Sequence, residues 1–150
     1  MSTNATLCDP TAMAEILLSE VHDDGSTRLE FVLTGHPTGR RAVLTATGHG
    51  TMEGAHAMVR FLDMALAAPG QGTSSALMRI GGVESTPIRA QFLLGKWLLK
   101  NKSRVGLVSV VGAKAWERKL ATAVCAIASF KSLTFHQTES EGRAWLGWNE

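Results

Sequence analysis

Ala42-Val43-Leu44-Thr45-Ala46-Thr47-Gly48-His49-Gly50-Thr51-Met52-Glu53-Gly54 is where the chain changes its periodicity. Through Thr47 the β-branched and aliphatic residues read as a strand. Gly48-His49-Gly50 interrupts it and Thr51 supplies an N-cap. From there Ala55, Val59, Leu62 and Leu66 recur at spacings of three to four, which marks an amphipathic helix.

Toward the N-terminus the pattern stays β-rich. An apolar stretch over Met13–Val21 meets His22-Asp23-Asp24-Gly25-Ser26, which is turn chemistry, and then Leu29–Leu33, so a hairpin centred on Asp24-Gly25 is expected. Gly35–Gly39 is a second turn before the strand at Ala42. Toward the C-terminus, Pro69–Gly72 closes the first helix, Ser75–Ile80 reads as a strand and Gly81-Gly82 as its end. Thr86-Pro87 reads as an N-cap and first-turn proline opening a helix over Ile88–Leu99, with Phe92, Leu93 and Trp97 inward. Arg104–Val111 reads as a strand buried on both sides, and Ala113–Ala128 as a helix whose apolar stripe is Trp116, Leu120, Ala123, Val124 and Ile127. A strand at Ser132–His136 and a helix opened by the capping box Thr138–Glu141, carrying Trp145 and Trp148, end the chain.

The order is β-β-β-α-β-α-β-α-β-α. It predicts an α/β fold: a single mixed β-sheet with an N-terminal antiparallel meander followed by βαβ units, helices packed largely on one face. A chain of 150 residues with 45% hydrophobic and 19% charged residues fits one domain over residues 1–150, with residues 1–11 a flexible N-terminus. Its two cysteines, Cys8 and Cys125, lie far apart, and its start lacks the basic and apolar regions of a secretory signal. A cytoplasmic protein that does not span a membrane is the expectation.

The formal charge of +2 conceals an asymmetry. Residues 1–30 hold six acidic side chains against Arg28 alone, and residues 89–119 hold eight basic ones against Glu117 alone. Arg89, Lys96 and Lys100 fall within about 40° of one another on a helical wheel. They are the candidate partner-binding residues, suited to an acidic protein surface or lipid headgroups. The stripe is too short to hold nucleic acid by its phosphates.

Catalytic signatures are missing. The histidines lack metal-ligand spacing, no Gly-x-Ser-x-Gly occurs, and Cys125 sits mid-helix where burial quenches a thiol, so neither a metal nor a cofactor is expected. The loop Gly48–Gly54 is the one motif that suggests a nucleotide-binding enzyme, because glycines before a helix can admit a phosphate. Its spacing departs from Gly-x-Gly-x-x-Gly, and a tight strand-to-helix turn explains the glycines.

Three strings resemble the SpoIIAA-like family, a relative of the STAS (sulfate transporter and anti-sigma factor antagonist) domain whose fold is shared in part with Sec14-type lipid-binding modules. They are Ala46-Thr47-Gly48-His49-Gly50-Thr51-Met52-Glu53, the strand Val105–Val111 leading to Ala115-Trp116, and Phe135-His136-Gln137-Thr138-Glu139-Ser140-Glu141-Gly142-Arg143-Ala144-Trp145-Leu146. The resemblance spans about residues 12–148. It implies a non-enzymatic module that works through a protein partner, with a small hydrophobic or lipidic ligand as the alternative. Anti-sigma factor antagonists carry a phosphorylatable serine where this chain has Ser85 and Thr86. The family's Asp-Ser-Ser-Gly pattern is absent there, and Arg79 stands where an acidic strand end is usual. The acidic N-terminal and basic 89–119 segments also suit self-association as a homodimer, and Trp145 and Trp148 either pack the last helix onto the sheet or leave one indole exposed at a dimer contact.

Overall fold

The computed structural model describes residues 15–68 and 74–148. The expected flexible N-terminus, Cys8 and the Pro69–Gly72 turn lie outside them. Strands β1 (Glu15–Asp23), β2 (Thr27–His36) and β3 (Gly39–His49) form the antiparallel meander. Helix α1 (Met52–Ala67), β4 (Ser74–Ser85), α2 (Ile88–Asn101), β5 (Val105–Val111), α3 (Ala115–Ala128), β6 (Leu133–His136) and α4 (Glu139–Leu146) follow. The single six-stranded sheet has the order β1-β2-β3-β4-β5-β6 and is parallel from β3 onward.

One face carries the main core. Leu29, Phe31 and Leu33 of β2 alternate inward, and Phe31 stacks on Phe61 of α1 with ring centroids 4.2 Å apart. That stack turns α1 so that Ala57, Met58, Phe61 and Ala65 are buried while Val59 and Leu62 of the expected face are only half-buried. Ala76, Met78 and Ile80 of β4 continue the core toward Val108 and Val110 of β5, over which Leu98 of α2 and Cys125 and Ala128 of α3 pack. The opposite face holds a smaller cluster of Leu77, Leu146 and Trp148 under α4. Gly142 of α4 fits there because a Cβ would stand 2.6 Å from the Ser109 hydroxyl and 3.0 Å from Leu77. Trp148 is buried and donates its Nε1–H to the Ser75 hydroxyl, and Trp145 is half-buried beside His136, so both follow the packing alternative.

The junction at Gly48–Thr51 is tied to the first hairpin. Gly48 has φ +86°, and a Cβ there would lie 2.2 Å from the Ser26 carbonyl oxygen, so only glycine fits. Asp24 accepts hydrogen bonds from the Ser26 and Thr27 N–H groups and from the Thr51 hydroxyl at 2.5 Å, while Thr51 accepts the Gly54 N–H as N-cap. These bonds, with the Thr51 hydroxyl the strongest, hold the Asp24 carboxyl well below the usual carboxylate range.

Four local expectations are corrected. β4 does not end at Gly81-Gly82 but runs to Ser85, because Gly82 pairs with Thr47 at a distance no side chain would allow, 2.8 Å from a Cβ to the Thr47 methyl. Thr86 therefore does not cap α2: pairing holds the chain extended through Ser85, the Gly50 N–H binds the Ser85 carbonyl at 2.7 Å, and Pro87 takes the N-cap position. Phe92 points outward, since Leu94 and Leu98 face the sheet. On α3, Trp116 and Ala123 are exposed, and Glu117, Ala121, Cys125 and Ala128 face inward; the side chains of Leu120, Val124 and Ile127 are outside those described. Small residues let α3 approach the sheet, and Glu117 follows them because its carboxylate accepts the Lys114 N–H at the helix start.

Asp24 has a depressed folded-state pKa, so its stabilisation is complete above the ordinary carboxylate range and fades as pH falls below it. The Asp24→Asn variant should lose stability less steeply on acidification below about pH 4 than the wild type, as read by urea unfolding at a series of pH values. Parallel slopes would remove Asp24 from that role.

Candidate functional site

Beneath α1, α2 and α3 lies a cavity of about 230 Å³. Its floor is the inner face of the sheet, with Leu44, Met78, Val108 and Val110, and its roof includes Met58, Leu94, Trp97 and Cys125. The origin of the space is local. Ala42 and Ala76 on adjacent strands, Gly95 on α2 and Ala121 on α3 present small side chains to one another, and the larger neighbours do not close the gap.

The lining is apolar almost throughout. Polar groups enter at Ser74, Ser75, Gln91 and Glu117. Ser74 stands at the first residue of β4, paired with Arg40 on one side and Val105 on the other. Its residue is 8% exposed and its hydroxyl has no hydrogen-bond partner among the described residues. A hydroxyl of this kind is short of an acceptor or donor by about 1–3 kcal/mol. Burial pushes the Cys125 thiol up, which makes it an unreactive wall of the cavity. Near Ser74, the Arg40 and Arg104 guanidinium groups both donate to the Leu66 carbonyl at the end of α1.

The residues singled out from sequence fall elsewhere. Arg89, Lys96 and Lys100 are exposed along the outer side of α2. Ser85 is the exposed last residue of β4 and Thr86 is half-buried in the corner after it. The parallel pairing of β3 with β4 brings His49 to Ser85, Nδ1 to Oγ at 2.9 Å, with Nε2 3.4 Å from the Glu84 carboxylate. A Glu-His-Ser relay of this order suggests a nucleophile, but His49 and Glu84 are more than 60% exposed and the adjacent Gly50 N–H is already bound to the Ser85 carbonyl, so it offers no oxyanion donor. A phosphate on Ser85 would meet the attraction of His49 and the repulsion of Glu84.

The Gly48–Gly54 loop is occupied by its own bonds. The His49 N–H binds the Ser26 carbonyl, the Gly50 N–H binds Ser85 and the Gly54 N–H binds Thr51, while the Asp24 carboxylate sits on the Thr51 hydroxyl where a phosphate would have to lie. Among the described residues no group of three His, Cys, Asp or Glu side chains could hold a metal ion. Arg79 is not at a strand end. It lies within β4 on the α4 face, where Glu139 grips its guanidinium at 2.7 and 2.9 Å and also accepts from Arg143. These two arginines bring the Glu139 carboxyl down to about 2.

The cavity and the Ser74 hydroxyl were missed from sequence. Lone alanines and a glycine in four separate elements leave no periodic signal, and only their opposition in space makes a hole.

Comparison with known proteins places this architecture. No protein-family model and no curated protein matches the chain. Among solved structures it is similar to the crystal structure of an uncharacterized DUF3478-family protein with a SpoIIAA-like fold from Shewanella loihica PV-4. The TM-score is 0.58 at 19% identity, over 89% of this chain and 94% of that one. The class is therefore an α/β protein of SpoIIAA-like fold, as the resemblance of the three strings implies.

Replacing Ser74 by Ala removes a buried hydroxyl that none of the described residues satisfies. The unliganded variant should match or exceed the wild type in thermal midpoint, whereas a typical buried polar-to-Ala change at a bonded site lowers it. A clear fall in midpoint would show that the hydroxyl is bonded in the folded protein.

Proposed function

We propose that the protein is a non-catalytic carrier or sensor of a small hydrophobic or lipidic molecule held in the cavity under α1, α2 and α3. The observation that carries this reading is the apolar space of about 230 Å³ in the centre of the main core. Engineered apolar cavities of about 150 Å³ already take up benzene or xenon. A ligand that fills the space gains the dispersion contacts its apolar lining lacks. Ser74 gives such a ligand one hydrogen-bonding point at the β4 end, which favours a chain or ring with a single polar group.

Other readings have less support. A nucleotide enzyme would need the N–H groups of the Gly48–Gly54 loop, and those of His49, Gly50 and Gly54 are bonded within the protein. A regulatory phosphosite at Ser85 or Thr86 and a protein contact through Arg89, Lys96 and Lys100 rest on exposure and on the family resemblance. No helix among the described residues is long and apolar enough to cross a membrane.

The test is titration of the purified, delipidated full chain with medium-chain fatty alcohols and fatty acids by calorimetry, alongside native mass spectrometry of gently purified protein. Saturable binding or an extra bound mass is expected. Gly95→Leu fills the cavity from α2 and should weaken binding about tenfold or more, while the helix gains about 0.8 kcal/mol over glycine. A clean apo mass with no saturable binding, or binding unchanged by Gly95→Leu, would overturn the reading.

A further inference from the structure

We propose that the outer face of α2 docks on an anionic lipid surface. α2 is less buried than α1, the other long helix over the sheet for which every side chain is described: Ala90 and Asn101 alone are buried in it, against seven residues in α1. Ile88, Phe92 and Leu99 are 63%, 59% and 48% exposed. At about 100° per residue they lie within about 40° of one another. Arg89, Lys96 and Lys100 occupy the next sector of about 40°, and the cavity-lining Leu94 and Leu98 lie on the opposite side. An apolar ridge with a basic ridge beside it is the arrangement of a helix lying in a membrane interface, apolar side chains in the acyl boundary and cations among the headgroups.

Charge selects this occupant. Residues 89–119 hold eight basic side chains and one acid, Glu117, which is buried and bonded to the Lys114 N–H. A second copy of the chain in a two-fold contact would set this basic ridge against itself. An acidic protein surface could pair the cations but has no reason to receive a phenylalanine and two aliphatic side chains in the adjacent sector. An anionic bilayer accepts both, and its surface potential attracts each Lys or Arg. The proposal concerns the outside of α2 and holds whether or not the cavity is filled.

The experiment is co-sedimentation of the full chain with phosphatidylcholine vesicles, with and without phosphatidylglycerol. Binding to the phosphatidylglycerol vesicles alone is expected, falling as salt is raised. The combined Arg89→Glu, Lys96→Glu, Lys100→Glu variant should lower the partition coefficient by at least on the order of 100-fold, from roughly fivefold for each of the three cations removed, with repulsion of the new carboxylates adding to it. Phe92→Ser, which leaves every charge in place, should lower it about tenfold or more, and the thermal midpoints of both variants should stay near the wild type because the side chains are exposed. If the triple variant does not fold, Phe92→Ser and the salt dependence of the wild type still decide the matter. No binding to anionic vesicles, equal binding to neutral ones, or unchanged binding by Phe92→Ser would overturn the proposal. So would a concentration-dependent dimer that Phe92→Ser dissociates.

Discussion

A strand, a helix and a parallel neighbouring strand connect right-handedly in nearly every protein, and here three such connections follow one another, β3-α1-β4, β4-α2-β5 and β5-α3-β6, each advancing one strand in the same direction. Repeated handedness with an unchanging direction sends α1, α2 and α3 to one face of the sheet. The antiparallel β1 and β2 extend that face and bring Phe31 under Phe61. Of the four described helices α4, which follows β6, settles on the other side, where Gly142, Trp148 and the Arg79–Glu139–Arg143 bridge hold it.

Three helices over one sheet face must share its surface, and their contact residues decide whether that layer closes. α1 closes it with aromatic stacking. α2 and α3 meet the middle of the sheet with Gly95, Ala121 and Cys125, opposite Ala42 and Ala76, and the layer stays open there. α2 consequently has a half-packed inner side and an apolar and basic outer side. The Gly48–Thr51 junction is the reverse case: the His49 and Gly50 N–H groups and the Thr51 hydroxyl are used by the fold, which is why a loop with the look of a phosphate cradle is a structural corner.

Much of the architecture was legible from local chemistry. Asp24-Gly25, Thr51 as N-cap and Thr138-Glu141 act within a few residues of themselves, so turn and cap preferences find them. Signals that depend on a partner far along the chain were misread. Gly81-Gly82 looks like a strand end until Thr47 is placed beside it, and Thr86 looks like a cap until pairing with β3 holds Ser85 extended. On α3 the bulky residues suggested a buried stripe at Trp116, yet the small residues and Glu117 face the sheet, because close approach of the helix favours small side chains over the most hydrophobic ones.

By itself, then, the amino-acid sequence determined the order of strands and helices, the antiparallel-to-parallel change at Gly48–Thr51 and the gathering of positive charge between residues 89 and 119. Each of these depends on neighbours within a helical turn or a hairpin, or on composition. The tertiary structure alone decided which faces of α2 and α3 are turned to the sheet, that Ser74 is buried without a hydrogen-bond partner among the described residues, and that four small residues from four elements leave a half-open cavity between them. Those are matters of volume and distance between segments far apart in the chain, and no local preference records them.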